Sequence, residues 1–266
     1  MSSLFARFSY NYDERYMIQA TIRRDGSSRF GPNNKYGTFP SVSAGWNVMN
    51  EAFMENTREW LSNLKIRASW GKNGNDNIDE FGYTSLTAMG NNVLLGRDAV
   101  KYIGSKAQRL ANPDLKWETT VTRNLGIDYG FWNNRISGSI DLYWNTTKDL
   151  LMKTEIPSTT GYNYQYRNFG QTSNKGVEFS MSAVLLDTKK YGLNFTFNLA
   201  YNRNKIDKLT TDTPWQSSNW AGSTISKYED FRVEEGGRLG EVWGFKTNGY
   251  YTVYDPVSNP NGDLIW

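Results

Sequence analysis

Cysteine and histidine are both missing from the 266 residues, and with them go several kinds of chemistry. No serine–histidine or cysteine–histidine nucleophile can be assembled, nor a zinc site of the usual ligands, nor haem or iron–sulfur ligation through those residues, nor a disulfide framework. Redox compartment is therefore not legible. Excess charge is missing too: 30 Lys plus Arg stand against 27 Asp plus Glu, a net +3. A balance so small and scattered lacks the basic stripe of a nucleic-acid binder, and no nucleic-acid partner is expected. Long apolar runs are also absent. The cleanest is Ala183 to Leu186, whereas a helix crossing the bilayer needs about 20 such residues. The start, Met1 to Arg7, has no charged, apolar and small-residue sequence of a secretion signal. None of this excludes a membrane β-barrel, which shows itself only by alternation over about ten residues.

What is present is aromatic and alternating. There are 10 Trp, 17 Tyr and 13 Phe, with 24 Gly. From Asn194 to Asn202, Phe195, Phe197, Leu199 and Tyr201 fall on one side and small polar residues on the other. Successive strand side chains point to opposite faces, so a period of two specifies one apolar and one wet face. The same track runs through Leu64, Ile66, Ala68 and Trp70, through Ile136, Ile140, Leu142 and Trp144, and through Val177, Phe179, Met181, Ala183 and Leu185. Strands are also expected at Leu4 to Tyr12, Tyr16 to Arg23, Phe39 to Val48 and Val121 to Phe131, with a weaker ninth at Val242 to Val253. One short helix is expected at Glu51 to Leu61.

Tight connections at Asp13 to Arg15, Trp132 to Asn134 and Asp187 to Lys190 alternate with long ones at Arg24 to Thr38, Gly71 to Thr119, Lys148 to Lys175 and Lys205 to Glu241. A meander with short turns at one rim and long loops at the other is the layout of an outer-membrane barrel. Aromatics gather at strand ends, as in the girdles of a bilayer interface; Trp46, Trp70, Trp132 and Trp144 are expected to face lipid or to sit in those girdles. A soluble β-sandwich with a carbohydrate-binding or adhesive role, and a passive porin, share parts of this pattern and stay open at this point.

Between the strands stand blocks that carry a specific resemblance. RRDGSSRFGPNNKYGTFPSVSAGWNV holds Arg23, Asp25, Gly26, Ser27, Ser28, Phe30, Phe39, Pro40 and Trp46; LKIRASWGKNGN holds Gly71, Gly74 and Asn75. NPDLKWETT supplies Asn112, Pro113, Trp117 and Glu118, and NKGVEFSMSAVLL supplies Asn174, Gly176 and Glu178; between these two blocks runs LGIDYGFWNNRISGSIDLYWNTTKDLL. In this order the blocks resemble SusC/RagA-type TonB-dependent outer-membrane transporters of the Bacteroidetes. The resemblance covers Leu4 to about Tyr254. It implies an all-β, antiparallel up-and-down transmembrane β-barrel of about 22 strands around an N-terminal plug, of which this chain holds about eight or nine. It further implies import of oligosaccharides or peptides, a SusD-like surface lipoprotein over the extracellular mouth, energy through TonB, and contact with outer-membrane lipid. The plug, the TonB-contact segment, an export signal and the final strands lack a counterpart here, and Pro256 and Pro260 keep the tail before Trp266 from reading as a closing strand. A fragment of a longer reading frame is expected.

Candidate site residues lie in the long loops. Trp215, Trp220 and Tyr228 in one, and Tyr162, Tyr164 and Tyr166 with Arg167 and Asn168 in another, join flat rings to hydrogen-bonding groups as a glycan surface does. The competing reading, given more weight, is that these rings pack loop on loop or touch a partner lipoprotein. Arg23, Asp25 and Arg29 are expected to pin a loop root by ion pairing, with Gly26 at a turn. Asn75, Asp76, Asp79 and Glu80 invite a calcium reading, but their spacing is not that of an EF-hand, and a solvated loop is expected instead. Glu229, Asp230, Glu234 and Glu235 are read as a charged loop rather than a glycosidase pair. No enzyme, metal or cofactor is expected.

Overall fold

In the computed structural model, residues 2–95, 100–209, 215–218 and 231–242 are described. The strands in chain order are β1 (Ser2–Tyr12), β2 (Tyr16–Gly26), β3 (Tyr36–Asn47), β4 (Leu61–Asn75), β5 (Leu86–Leu95), β6 (Val100–Leu110), β7 (Glu118–Phe131), β8 (Ile136–Lys148), β9 (Leu151–Glu155), β10 (Tyr164–Asn168), β11 (Gln171–Asp187), β12 (Gly192–Lys208), β13 (Trp215–Ser218) and β14 (Phe231–Glu234). Eight of them form one antiparallel sheet in the order β1-β2-β3-β4-β7-β8-β11-β12. Each alternating track read from the sequence occupies one of these strands. The expected ninth strand falls, beyond Val242, outside the described residues.

Hairpin chemistry fixes the short rim. Asp13 (φ 49°) and Glu14 (φ 51°) turn β1 into β2, and Trp132, Asn133 and Asn134 take φ of 49°, 55° and 60° between β7 and β8. Positive φ matches the right-handed twist of the strands being joined. The β3–β4 connection is longer and carries 3₁₀ turns at Val48–Asn50 and Ala52–Thr57 in place of the helix expected at Glu51 to Leu61. Its preceding residue, Glu51, is extended, and Leu61 already pairs with Phe131, so the strand ladder consumes the residues a longer helix would need. Glu51 fastens this rim. It accepts hydrogen bonds from Tyr16 Oη (2.6 Å) and Trp46 Nε1 (3.0 Å), and these, Tyr16 first, hold its carboxyl below the usual range.

The register puts one apolar set on a single face across the sheet. Tyr10 pairs with Ile18, Ile18 with Ala44, Ala44 with Ala68, Ala68 with Leu125, Leu125 with Leu142, Leu142 with Val177 and Val177 with Tyr201. This face is bare: Leu4 is 76% exposed, Ile22 53%, Leu199 55% and Tyr201 65%. That overturns the sandwich reading, because a sandwich buries this face under a second sheet. An uncovered apolar band on an antiparallel sheet with polar residues behind it is the outer surface of a barrel wall.

The buried core lies elsewhere, beneath the long connections. Phe30, Phe39, Ile78, Leu115, Trp117, Tyr164 and Tyr166 form one cluster. Roofing it is a feature the sequence did not reveal: the stretches expected as loops at Gly71 to Thr119 and Lys148 to Lys175 contain a second sheet, in the order β5-β6-β10-β9. β10 pairs in parallel with β6 and antiparallel with β9, so its strands meet only after the barrel strands have brought distant segments together. Pro40 sits inside β3 without breaking the sheet, since β3 joins β4 only from Ser41 onward and an edge position needs no donor there.

Candidate lumen wall and loop platform

The polar face of the sheet is organised around one arginine. Arg67 on β4 donates through Nε and Nη2 to both oxygens of Asp128 on β7 (2.8 Å each) and through Nη2 to Asp141 on β8 (3.1 and 3.2 Å). Its guanidinium crosses over Gly126, where a Cβ would stand 2.6 Å from Asp141 Oδ1 and 2.8 Å from Arg67 Nη2. A bidentate fork of this kind fixes orientation as well as charge. Glu178 on β11 is the cross-strand partner of Asp141, so the arginine also offsets a run of carboxylates. Beside this network a hollow of about 400 Å³ is lined by Ser9, Asn11, Gln19, Ser43, Lys65 and Asn124 among others. Hydroxyls, amides and the cations Lys65 and Arg67 share this lining with apolar side chains such as Met17 and Ile18.

Aromatics lock small residues in this wall. Tyr143 is the partner of Gly176, and a Cβ on Gly176 would meet Tyr143 Oη and the Tyr201 carbonyl, each at 2.5 Å. On the apolar face Tyr129 covers its partner Gly138 and donates to the Ser180 carbonyl at 3.1 Å. Glycine leaves the room for a ring to lie flat across the strands.

The loop platform explains most of the motif residues. Arg23 Nε donates to Asp25 Oδ1 at 2.8 Å, the ion pair expected at the loop root. Arg29 reaches instead to Asp76, through its backbone carbonyl at 2.9 Å, and Ser27 Oγ donates to Asp76 Oδ2 at 2.7 Å. Asn75 donates to Glu118 (3.0 Å), whose other oxygen accepts the Leu151 amide. Asn112 donates to the Tyr166 carbonyl at 2.8 Å and takes its own backbone bond to Tyr83. Phe30 and Phe39 pack on Trp117 with ring centroids 5.1 and 5.4 Å away, and Phe39 fills the space left by Gly37 and Gly74. The Gly31 position lies tight against the Pro113 carbonyl, while Ser28 and Asn174 are exposed. Gly71 gives way to Ser41 across the sheet.

The acidic stretch is largely exposed, as expected of a solvated loop, yet two of its carboxylates also hold protein partners. Asp76 is engaged by Ser27 and Arg29, and Asp79 accepts from Tyr166 Oη at 2.7 Å and faces Arg109 at 3.8 Å; among the described residues no cluster suited to a metal occurs. Arg109 was not singled out by the sequence. It is 4% exposed, donates to the carbonyls of Thr84 and Phe81 (2.9 Å each) and lies over the Tyr166 ring. Nothing but its position in a polar segment marked it.

Around Tyr162, Tyr164 and Arg167 the structure shows the loop-on-loop packing given more weight than a glycan surface. Tyr164 is 7% exposed, set edge-on to Tyr166 and capped by Lys153 Nζ 4.1 Å from its ring, so no face is open to a sugar. Burial, then the Asp79 hydrogen bond, push the Tyr166 hydroxyl up to about 12. Asn168 is spent on the Lys116 and Asp149 backbone. Tyr162 is half-buried, and Arg167 is exposed with its Nε given to Gln165. Trp215 opens β13, whereas Trp220 and Tyr228 lie outside the described residues. Of the tryptophans expected at lipid or in the girdles, Trp70 and Trp144 on the apolar face of their strands are 39% and 44% exposed, and Trp132, in the β7–β8 turn, is 56% exposed.

Comparison with known proteins places the sheet in a lineage. A family model described as TonB dependent receptor-like, beta-barrel matches residues 1–264. The TonB-dependent receptor SusC of Bacteroides thetaiotaomicron is 37% identical over 265 residues, 99% of this chain and 26% of that protein. The TonB-dependent receptor P39 of Formosa agariphila is 35% identical over 94% of this chain and 22% of its own length. Among solved structures, the RagAB peptide importer in its closed-closed state superposes with a TM-score of 0.75 at 31% identity, covering 88% of this chain and 24% of that one. The siderophore receptor PirA of Pseudomonas aeruginosa, at 18% identity and a TM-score of 0.52, shares the fold alone. The chain thus spans about a quarter of the length of the relatives it matches most fully. With motif blocks, register and two-faced sheet in agreement, the chain belongs to the TonB-dependent receptor-like β-barrel family, of whose barrel wall it forms one continuous run.

Proposed function

We propose that this chain is part of the wall of an outer-membrane importer for oligosaccharides, working with a SusD-like lipoprotein at its extracellular mouth and energised through TonB. The observation that carries the reading is the two-faced sheet: a bare apolar band on one side, and on the other a polar face organised by Arg67, Asp128 and Asp141. Selective passage needs such a surface, with many weak hydrogen-bonding sites and no group that traps the solute. The loop platform, rigid and packed, supports the mouth where a lipoprotein would rest. Trp215, Trp220 and Tyr228 are the loop residues proposed to meet either the solute or that partner.

A second reading, peptide uptake, is supported by the likeness to the RagAB peptide importer. The two separate by deleting the gene for the full-length protein and following uptake of labelled oligosaccharide and labelled peptide mixtures. Loss of the first supports the proposal and loss of the second its alternative; if neither uptake changes, both fall. Uptake that persists without TonB would return the passive porin. In the full-length protein, Trp215→Ala with Trp220→Ala is expected to slow glycan uptake or weaken lipoprotein association, and no change in either removes these residues from the site.

A further inference from the structure

Near the rim that bears the long connections, the outward face changes character within one pair of residues. The row Leu125, Leu142, Val177 and Tyr201 is apolar, and the next row on the same face reads Trp70, Arg123, Trp144, Lys175 and Arg203, each the cross-strand partner of the one before. Two residues along a strand is about 7 Å, so these cations stand directly above the band that meets hydrocarbon. Lys205 follows two residues beyond Arg203, opposite Ser173. Arg238 arrives from the segment whose Gly236 and Gly237 bond the backbone of Ile206. Together Arg123, Lys175, Arg203, Lys205 and Arg238 line a cleft of about 630 Å³ that Trp144 also lines.

No carboxylate lines that cleft, and among the described residues none of the ion pairs includes these cations. Asp207, on the same face, is engaged by Ser173 and Gln171. Lys175 and Arg203 are exposed and directly opposite each other, an arrangement that repels unless an anion lies between. Tryptophan beside Lys and Arg at the edge of an apolar band is a headgroup-level composition. Guanidinium and ammonium groups in a shallow cleft suit phosphate oxygens.

We propose that this cleft docks the phosphorylated headgroup of a lipid in the outer leaflet, with the acyl chains lying down the apolar rows below it. The assignment rests on reading the sheet as a membrane wall. It is tested on the intact protein purified in dodecyl maltoside, incubated with diphosphoryl lipid A, with bound lipid counted by native mass spectrometry. Replacing Arg123, Lys175 and Arg203 together by Gln should weaken retention by on the order of 100-fold, from about fivefold per cation. Lys175→Gln and Arg203→Gln singly should each give about fivefold and keep the test open if the triple variant misfolds. Lys190→Gln, at the opposite rim, should leave retention unchanged. Equal retention by parent and variants overturns the proposal. So does competition by inorganic phosphate at matched concentration, which marks a site for a soluble anion. A protein that stays monodisperse without detergent would sink the wall reading itself, an outcome distinguishable from a detergent-requiring barrel that ignores lipid A.

Discussion

Trp117→Ala separates the stability of the loop platform from that of the wall. The indole is 6% exposed, packs on Phe30 and Phe39 at 5.1 and 5.4 Å, and donates through Nε1 to the Lys35 carbonyl at 3.4 Å. That hydrogen bond is long and contributes little. Burial of a ring of this size is the main effect: about 200 Å² at about 25 cal/mol per Å² gives about 5 kcal/mol, near the 3–5 kcal/mol typical of such truncations. The loss should be local, because the wall strands hold each other by a ladder in which Trp117 has no part. Amide exchange in residues 27–35 and 76–86 is therefore expected to accelerate by about a hundred- to several thousandfold, while β7, β8 and β11 keep their protection. The assay is hydrogen exchange with mass spectrometry on the intact protein in detergent, with Trp144→Ala on the exposed face as the comparison. Unchanged protection in both loop segments, or equal loss across the wall, would refute the idea that this cluster is an independent core.

Arg109→Met should destabilise the β5–β6 roof by about 2–4 kcal/mol, because the carbonyls of Thr84 and Phe81 lose their donors in a buried site, and Arg109→Lys should not rescue it; protease cutting between Phe81 and Leu86 reports both. Gly176→Ala should cost about 1–3 kcal/mol by forcing β11 from β12, and Tyr143→Ala should not restore it, since the Tyr201 carbonyl remains in the way; heat-modifiable gel migration measures the folded fraction. The Tyr166 hydroxyl, normally near 10, is raised to about 12, so its contribution to the platform is fully present below pH 10 and disappears as pH climbs toward 12. Tyr166→Phe should abolish that alkaline step, read as exchange of the Asn112 region against pH, and a step that survives would assign it to another group. Replacing Arg67 by Met should lower stability by about 1 kcal/mol only, given a half-open lumen, and Asp128→Asn together with Asp141→Asn should recover part of it in urea unfolding.

Alternation alone decided the wall. Phe195, Phe197, Leu199 and Tyr201 declare their face without knowledge of any neighbour, because the period of a strand is a local property of the backbone, and the eight barrel strands were legible for that reason. The positions of the short turns followed from the same reading. Pairings between distant segments were not legible. Tyr164, which the sequence left between a glycan surface and loop packing, lies closed under Tyr166 and Lys153, Arg109 looked like one more loop cation and is the buried peg of the roof, and Asp76 and Asp79 looked solvated and also hold loop partners, Asp79 while still exposed. The cationic row shows the same division: Arg123, Lys175 and Arg203 are scattered along the chain and become neighbours only when register sets their strands side by side. The sequence determined which face each side chain takes, since that is fixed by its own strand. Only the tertiary structure decided which groups meet, because meeting depends on long-range hydrogen-bond register that no short stretch of residues encodes.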